Sequence, residues 1–233
     1  MEFDYFIMCL KASISYIPQN FLLAFSTLAV CIILGTLMSL ARVNKVPILS
    51  QICSVLLAIG KALPTNLVLL ICMLLYTSYF GKIIKALNLN INIKDISMNW
   101  VAIFALIICV LPNTAETIRS GLLAVDGGQY EAGYSIGLSK GQTFFHIILP
   151  QAIRHIIPPM TSNILAVVKT TALVSVIGVL DILNGAVVAA SKSYCYLEAY
   201  IAAALVFWVV GFILEKISKY IEQYFTRSVK TIA

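Results

Sequence analysis

The chain has 233 residues, of which 61% are apolar and 11% charged, and it carries a formal net charge of +6; its mean hydropathy is +0.96. A soluble domain is about half apolar and about a quarter charged, so this composition excludes an ordinary water-soluble globule and points to one integral membrane domain. The basic residues mostly flank apolar runs, which reads as anchoring at a bilayer and excludes a nucleic-acid surface.

Six cysteines, Cys9, Cys31, Cys53, Cys72, Cys109 and Cys195, are spread without a CxxC spacing, and four of them sit in apolar runs. They read as small hydrophobes rather than as disulfide partners or metal ligands. The opening MEFDYFIMCLK lacks the basic start and small-residue exit of a cleavable signal peptide.

Apolar residues Phe6, Ile7, Leu10, Ile14 and Ile17 make a helical stripe over residues 4–17. Residues 1–18 either lie along the membrane interface or extend the first span. A bilayer span needs about 20 mostly apolar residues. The first runs over 21–40 and stops at Arg42, Asn44, Lys45 and Pro47. The second covers 52–80, with Lys61 and Pro64 inside it. The third covers 100–123. The fourth extends over 147–179, with a break expected at Pro158-Pro159. The fifth covers 196–214, and residues 214–225 continue as a helix with Lys216, Lys219, Glu222 and Gln223 on its wet face. The fold expected is an all-α integral membrane protein of about five transmembrane helices, one domain over 1–233 with its membrane core at 19–220.

Five spans put the termini on opposite sides. A cytoplasmic C-terminus collects Arg42, Lys45, Lys140, Lys216, Lys219, Arg227 and Lys230 inside, and leaves Lys11, Lys82, Lys85, Lys94 and Lys192 outside. The positive-inside rule therefore favours an outer N-terminus and a cytoplasmic C-terminus. The loop read at 81–99, with three outward lysines, runs against that rule.

Between spans three and four lies a polar stretch, residues 126–150, on the cytoplasmic side. Asp126-Gly127-Gly128 is a turn signal. Residues 129–136 are expected to form two helical turns that Gly137 ends in a left-handed conformation. Ser139 follows as an N-cap, with Gln142 at the third helical position of a capping box. Phe144, Phe145, Ile147 and Ile148 then lead into Pro150 and span four. Connections are usually short, so a structured knob of this kind reads as a docking element. Tyr130, Ala132, Gly133 and Tyr134 present small and aromatic groups to a partner's groove.

The spacing Glu131-Ala132-Gly133, Gly137, Ile147, Leu149, Pro150 resembles the EAA loop of the permease subunits of ABC importers. Gly133 stands where alanine is usual. Residues 111–133 and 148–178 are similar to the segments flanking that loop in polar amino-acid permeases. Two motifs depart: Gly60-Lys61-Ala62-Leu63-Pro64-Thr65 replaces an Arg-Gly-Thr-Pro motif, and Lys169-Thr170-Thr171-Ala172-Leu173 replaces a Lys-Asp-Thr/Ser-Ser-Leu motif.

The resemblance implies a type I ABC importer permease fold in a bacterial inner (plasma) membrane. It implies an ATPase-coupling site at Tyr130, Glu131, Ala132, Gly133, Gly137, Ile147, Leu149 and Pro150, in which the loop inserts into a cleft of a cytoplasmic ATPase dimer. Glu131 is expected to orient the loop through local hydrogen bonds. The chain has no Gly-x4-Gly-Lys-Ser/Thr loop, so ATP and magnesium are expected on the partner ATPase and no cofactor in this chain. A second permease chain, identical or paralogous, and an extracellular or periplasmic amino-acid-binding protein are the other implied partners, besides membrane lipid.

Charged and amide groups within spans invite a functional reading. Glu116 and Arg119, at i and i+3, either pair on one helix face or line the pathway. Lys169 and Thr170 follow the Pro-Pro pair in span four, where the resemblance puts the solute path. Asn66 and Asn113 each follow a proline closely in a span, and either meet solute or bridge helices. The expected substrate path is thus Asn66, Asn113, Glu116, Lys169 and Thr170. His146 and His155, nine apart without a thiol or carboxylate cluster, give no metal site, and no catalytic constellation stands out. A stand-alone secondary transporter or channel-like protein is the rival reading; it accounts for the intramembrane charges but not for the loop spacing. Without an acidic residue at 170, the span-four motif favours neutral or dipolar amino acids such as cystine, glutamine or histidine.

Overall fold

A computed structural model describes residues 3–86 and 96–227, and among them the secondary structure is entirely helical. Eleven α-helices follow in chain order: α1 (Phe3–Ser15), α2 (Ile17–Val43), α3 (Leu49–Ala62), α4 (Thr65–Leu75), α5 (Gly81–Ala86), α6 (Met98–Leu123), α7 (Gly128–Ser135), α8 (Lys140–Thr143), α9 (Leu149–Thr170), α10 (Ile182–Ala190) and α11 (Tyr196–Arg227). Wide π-turns join α4 to α5 at Tyr76–Phe80 and α8 to α9 at Phe144–Ile148, and a 3-10 segment, Thr171–Ile177, follows α9.

Five helical stretches are long and apolar enough to cross a bilayer: Phe3–Val43, Thr65–Ala86, Met98–Leu123, Lys140–Ile177 and Tyr196–Phe225. Large apolar side chains such as Ile33, Leu37, Leu74, Phe104 and Trp208 stand exposed along them. In water such a surface is a liability; against lipid it is the expected solvent face.

The spans differ from the sequence expectation in three places. Pro64 does not sit inside span two. It occupies the N-cap of α4 with extended backbone (φ −63, ψ 131), because a proline donates no hydrogen bond and disfavours helix in the residue before it. The apolar run at 52–80 is therefore split into α3 and α4. Residues Gly81–Ala86, expected in a loop, continue the second stretch as α5; Lys94 of that loop lies outside the described residues.

The third difference is at Pro158-Pro159, which do not break span four: both lie inside α9. A membrane helix tolerates proline where neighbouring groups re-satisfy the backbone, and Thr161 Oγ1 lies 2.7 Å from the Pro158 carbonyl. The irregularity falls later, at the 3-10 segment, which ends on Gly178 with φ +77.

The described residues gather into two compact units. The first draws on Met1–Val30, Ala62–Val110 and Ala166–Ile213. Its core joins Leu23 of α2, Val68 and Leu69 of α4, Ala102, Ala105 and Leu106 of α6, and Val174 and Ile177 of the 3-10 segment. Asn20 Nδ2 donates to Thr171 Oγ1 at 2.6 Å in that interior, a side-chain bridge of the kind that holds membrane helices together. Helix α1 packs on α10, where Gly185 leaves room for the Tyr16 ring that any β-carbon would strike. Helix α10 is capped by Asp181, whose Oδ1 accepts from the Asn184 amide at 2.8 Å.

Asp181 is fully buried, and among the described residues its Oδ2 has no partner. Burial pushes its carboxyl up to about 6, against the lowering effect of the backbone amides at its side. A carboxyl raised above its unfolded value of about 4 stabilises the fold below that value and loses the contribution as pH climbs through about 6. Asp181→Asn is therefore expected to raise the midpoint of thermal unfolding at pH 7.5, by at most about 3 kcal/mol of stability. The gain should vanish at pH 4. Melting curves of both chains at the two pH values check this.

The second unit draws on Cys31–Lys61, Leu111–Leu165 and Leu214–Ala233. Ile118, Leu122, Val125, Ile148 and Ala152 form its core, with Leu40, Tyr130, Phe144 and Met160 packed against it. Close helix approach is made by small residues: a β-carbon on Gly35 would stand 3.3 Å from the Ala115 backbone. Ser39 Oγ donates to the Ala115 carbonyl at 2.6 Å, and Asn163 Nδ2 donates to Thr117 Oγ1 at 2.9 Å.

Candidate functional site

The stretch 126–150 folds by local rules. Asp126 Oδ1 accepts from the Gly128 amide at 2.7 Å, turning the chain out of α6 into α7. Helix α7 closes on a Schellman motif: the Gly137 amide donates to the Tyr134 carbonyl and the Leu138 amide to the Gly133 carbonyl, each at 3.0 Å. Gly137 takes φ +84, a left-handed conformation that glycine adopts without steric cost. Ser139 then caps α8: its Oγ accepts from the Gln142 amide at 3.3 Å, and Gln142 Oε1 accepts from the Ser139 amide at 2.9 Å. The turn, the left-handed glycine and the capping box stand where the sequence reading puts them.

Packing then fixes the loop on the second unit's core. Gly133 is the buried residue of α7, and a β-carbon there would lie 2.6 Å from Thr143 Cγ2 and 2.8 Å from Thr143 Oγ1. Glycine at this position therefore lets α7 approach α8 more closely than alanine would. Tyr130 packs beside Ile148 and Phe144; burial, with Tyr134 nearby, pushes its phenol up, so it stays protonated at neutral pH. Gln151 Nε2 donates to Gln129 Oε1 at 3.0 Å, tying the start of α7 to α9.

Glu131 behaves differently from the expectation that it orients the loop. Its carboxylate is exposed in the first turn of α7, where negative charge is favoured by the helix dipole. The local bond at this residue goes to its main chain, the carbonyl accepting from Ser135 Oγ at 2.8 Å. Loop orientation comes instead from Asp126, Ser139, Gln142 and the Gln129–Gln151 bridge. Ala132 and Gly137 are exposed, Ile147 and Leu149 half-buried, and Pro150 exposed. The exposed large apolar side chains of the stretch are Ile136 at 75%, Phe145 at 64% and Tyr134 at 43% exposure. A rigid polar loop with exposed apolar side chains is equipped to seat in a protein groove.

The expected path residues are less tightly grouped. Asn66, Lys169 and Thr170 belong to the first unit, Asn113 and Glu116 to the second. Asn66, Asn113 and Lys169 are exposed. Thr170 Oγ1 donates back to the Ala166 carbonyl at 2.8 Å. Glu116 is the exception: it is the centre of an ion triad. Its Oε2 accepts from Arg42 Nη1 at 2.9 Å, its Oε1 accepts from Arg119, and Arg42 Nε donates to Ser54 Oγ at 3.1 Å. The i,i+3 pair is legible in sequence; Arg42 reads there as the end of span one and as an inner-side basic residue. His146 Nδ1 lies 2.9 Å from the Gln142 carbonyl, a bond within its own helical turn. Among the described residues no group of three His, Cys, Asp or Glu side chains converges on a metal-sized site.

Comparison with known proteins is consistent along the whole chain. Residues 31–227 match the family described as the binding-protein-dependent transport system inner membrane component. A probable amino-acid permease protein of Bacillus subtilis (strain 168) is 28% identical over 231 residues, covering 99% of each chain. An L-cystine transport system permease protein of the same organism is 32% identical over 203 residues, covering 86% of this chain and 82% of its own. The crystal structure of an amino acid ABC transporter with histidines superposes with a TM-score of 0.79 at 27% identity, over 96% of this chain and 99% of that one. The MetNI methionine ABC transporter in an inward-facing conformation shares the fold, with a TM-score of 0.70 at 16% identity over 97% of this chain and 100% of that one. With five stretches long and apolar enough to cross a membrane and an all-helical fold among the described residues, the chain is a multi-pass membrane protein and belongs to the family of binding-protein-dependent transport system inner membrane components, the permeases of ABC transporters.

Proposed function

We propose that this chain is the transmembrane permease domain of an ATP-driven importer of polar amino acids, drawing its energy from a separate ATPase through residues 126–150. The observation that carries the reading is the loop itself: α7 and α8 are braced on the core by Gly133, Tyr130 and Gln129, and turn Ile136 outward. A connector between two spans needs none of this. Tyr130, Glu131, Ala132, Gly133, Gly137, Ile147, Leu149 and Pro150 are the coupling residues. ATP closes the ATPase dimer, with magnesium, on the partner; the chain transmits the movement and hydrolyses nothing.

The solute class follows from relatives and from one substitution. The relatives include permease proteins of L-cystine, glutamine and arginine transport systems. In this chain Thr170 stands beside Lys169 where the family motif has an acidic residue, which removes a partner for a cationic side chain and favours neutral or dipolar amino acids of the cystine, glutamine or histidine type. Asn66, Asn113, Glu116, Lys169 and Thr170 line the path. Two permease chains, the same or paralogous, form the membrane half, an external binding protein delivers solute, and the chain runs from an outer N-terminus to a cytoplasmic C-terminus.

The test is ATP hydrolysis in lipid vesicles holding this chain with its ATPase and binding protein, against a panel of amino acids. Stimulation by a polar amino acid only when the binding protein is present is the expected result. Stimulation by arginine or lysine above all neutral amino acids would overturn the neutral preference. Solute movement by the purified chain without any ATPase would replace the importer with a stand-alone transporter.

A further inference from the structure

The second membrane-crossing stretch contains a feature that coupling and solute passage do not use. At Tyr76–Phe80 the helix widens into a π-turn between α4 and α5, and such bulges recur at functional positions in helices. The widened turn and the start of α6 form the walls of a groove of about 500 Å³, within the ~300–1,000 Å³ range of small-ligand sites. Cys72, Tyr76, Tyr79, Phe80, Trp100 and Phe104 line it. The two walls are tied by Tyr76, whose hydroxyl donates to the Ile96 carbonyl at 3.2 Å, and the Tyr76 and Phe80 rings lie tilted to each other, 5.1 Å between ring centres. Tyr79 and Trp100 stand more than half exposed on the two sides.

Among the described residues the charge beside the groove is one-signed. Lys82 Nζ lies 5.4 Å from the centre of the Tyr79 ring, so one ammonium is held against a lining residue. Lys85 follows one helical turn later, also exposed, with the lining residue Ile83 between the two. The walls, Thr65–Ala86 and residues 96–104, contain no Asp or Glu, and among the described residues neither lysine forms an ion pair. An aromatic groove that takes hydrocarbon, next to two ammonium groups without a carboxylate partner among the described residues, is complementary to one molecule of the surrounding solvent. We propose that this groove is a binding site for an anionic glycerophospholipid, with an acyl chain between the Tyr79 and Trp100 walls and the phosphate on Lys82 and Lys85. The site also gives a reason for lysines that run against the positive-inside rule: a bound lipid phosphate, not the loop charge bias, compensates them.

The test uses the reporter already in the groove. The chain has two tryptophans, so Trp208→Phe leaves Trp100 as the single fluorophore. The full-length variant is placed in phosphatidylcholine nanodiscs and titrated with acyl-brominated phosphatidylglycerol or acyl-brominated phosphatidylcholine, whose bromines quench tryptophan on contact. Brominated phosphatidylglycerol is expected to quench Trp100 with at least threefold greater half-effect at equal mole fraction, and Lys82→Gln with Lys85→Gln should abolish the difference. The Trp100→Phe chain, reporting from Trp208, should show none, which controls for bulk enrichment. Equal quenching by both lipids overturns the proposal, as does a preference that survives loss of both lysines. Protection of Trp100 from both lipids also overturns it and means that a protein surface, such as a second copy of this chain, covers the groove.

Discussion

Gly133→Val is expected to lower solute-stimulated ATP hydrolysis of the reconstituted transporter about 30-fold while the chain still inserts and folds. The first β-carbon already collides with Thr143, at 2.6 Å from Cγ2, and Thr143 is itself buried and β-branched, so it cannot swing away freely. Overpacking of this kind costs about 2 kcal/mol, which at about 1.4 kcal/mol per factor of ten accounts for the 30-fold loss of correctly seated loop. The cause can be isolated. Gly133→Ala alone should lose less, and Gly133→Ala with Thr143→Ala should regain most of the loss, because the two nearest atoms are gone and only Thr143 Cβ remains, at 3.2 Å. A double variant no better than Gly133→Ala would show that the contact does not set the loop.

Glu116→Ala carries the largest expected cost in stability. It leaves Arg42 and Arg119, with side-chain exposures of 19% and 30%, facing each other without the carboxylate that both bind. Breaking a buried pair costs about 3–5 kcal/mol; Glu116 is itself 41% exposed, and solvent screening brings the expectation to about 2 kcal/mol. Arg42→Gln combined with Glu116→Ala should cost less than the sum of the single changes, by 0.5 kcal/mol or more, as expected for groups in one network. Unfolding midpoints in detergent micelles of the four chains measure the coupling. Additive effects would mean that the triad is not a unit.

How much of this was legible in sequence depends on distance along the chain. The loop at 126–150 is readable in sequence because its determinants are local: Ser139 and Gln142 are three residues apart, and Gly137 follows a two-turn helix. Its bracing was not, since nothing in sequence links Gly133 with Thr143 across a turn or Gln129 with Gln151. The Glu116–Arg119 pair shows in sequence at i,i+3, whereas Arg42 reaches Glu116 across 74 residues and leaves no local mark. Spans were legible from length and hydropathy, but their irregularities were not. In water a Pro-Pro pair ends a helix; in α9 the surrounding apolar medium leaves a broken helix no water to bond, and the chain stays helical. Conversely, the π-turn at Tyr76–Phe80 lies in a run with no proline or glycine before Gly81. Helix α10 was missed because nine residues with a central glycine look like connection until Tyr16 is seen packing on Gly185.

The most direct test of the account is where the loop tip goes. A photo-activatable phenylalanine analogue in place of Ile136, the most exposed apolar residue of the loop, is irradiated in membranes containing this chain with its ATPase. The account predicts a covalent adduct with the ATPase subunit, and none when the analogue replaces Trp208 on the lipid-facing part of α11. An Ile136 adduct only with lipid, or with no protein, would contradict the claim that residues 126–150 carry energy into the membrane domain.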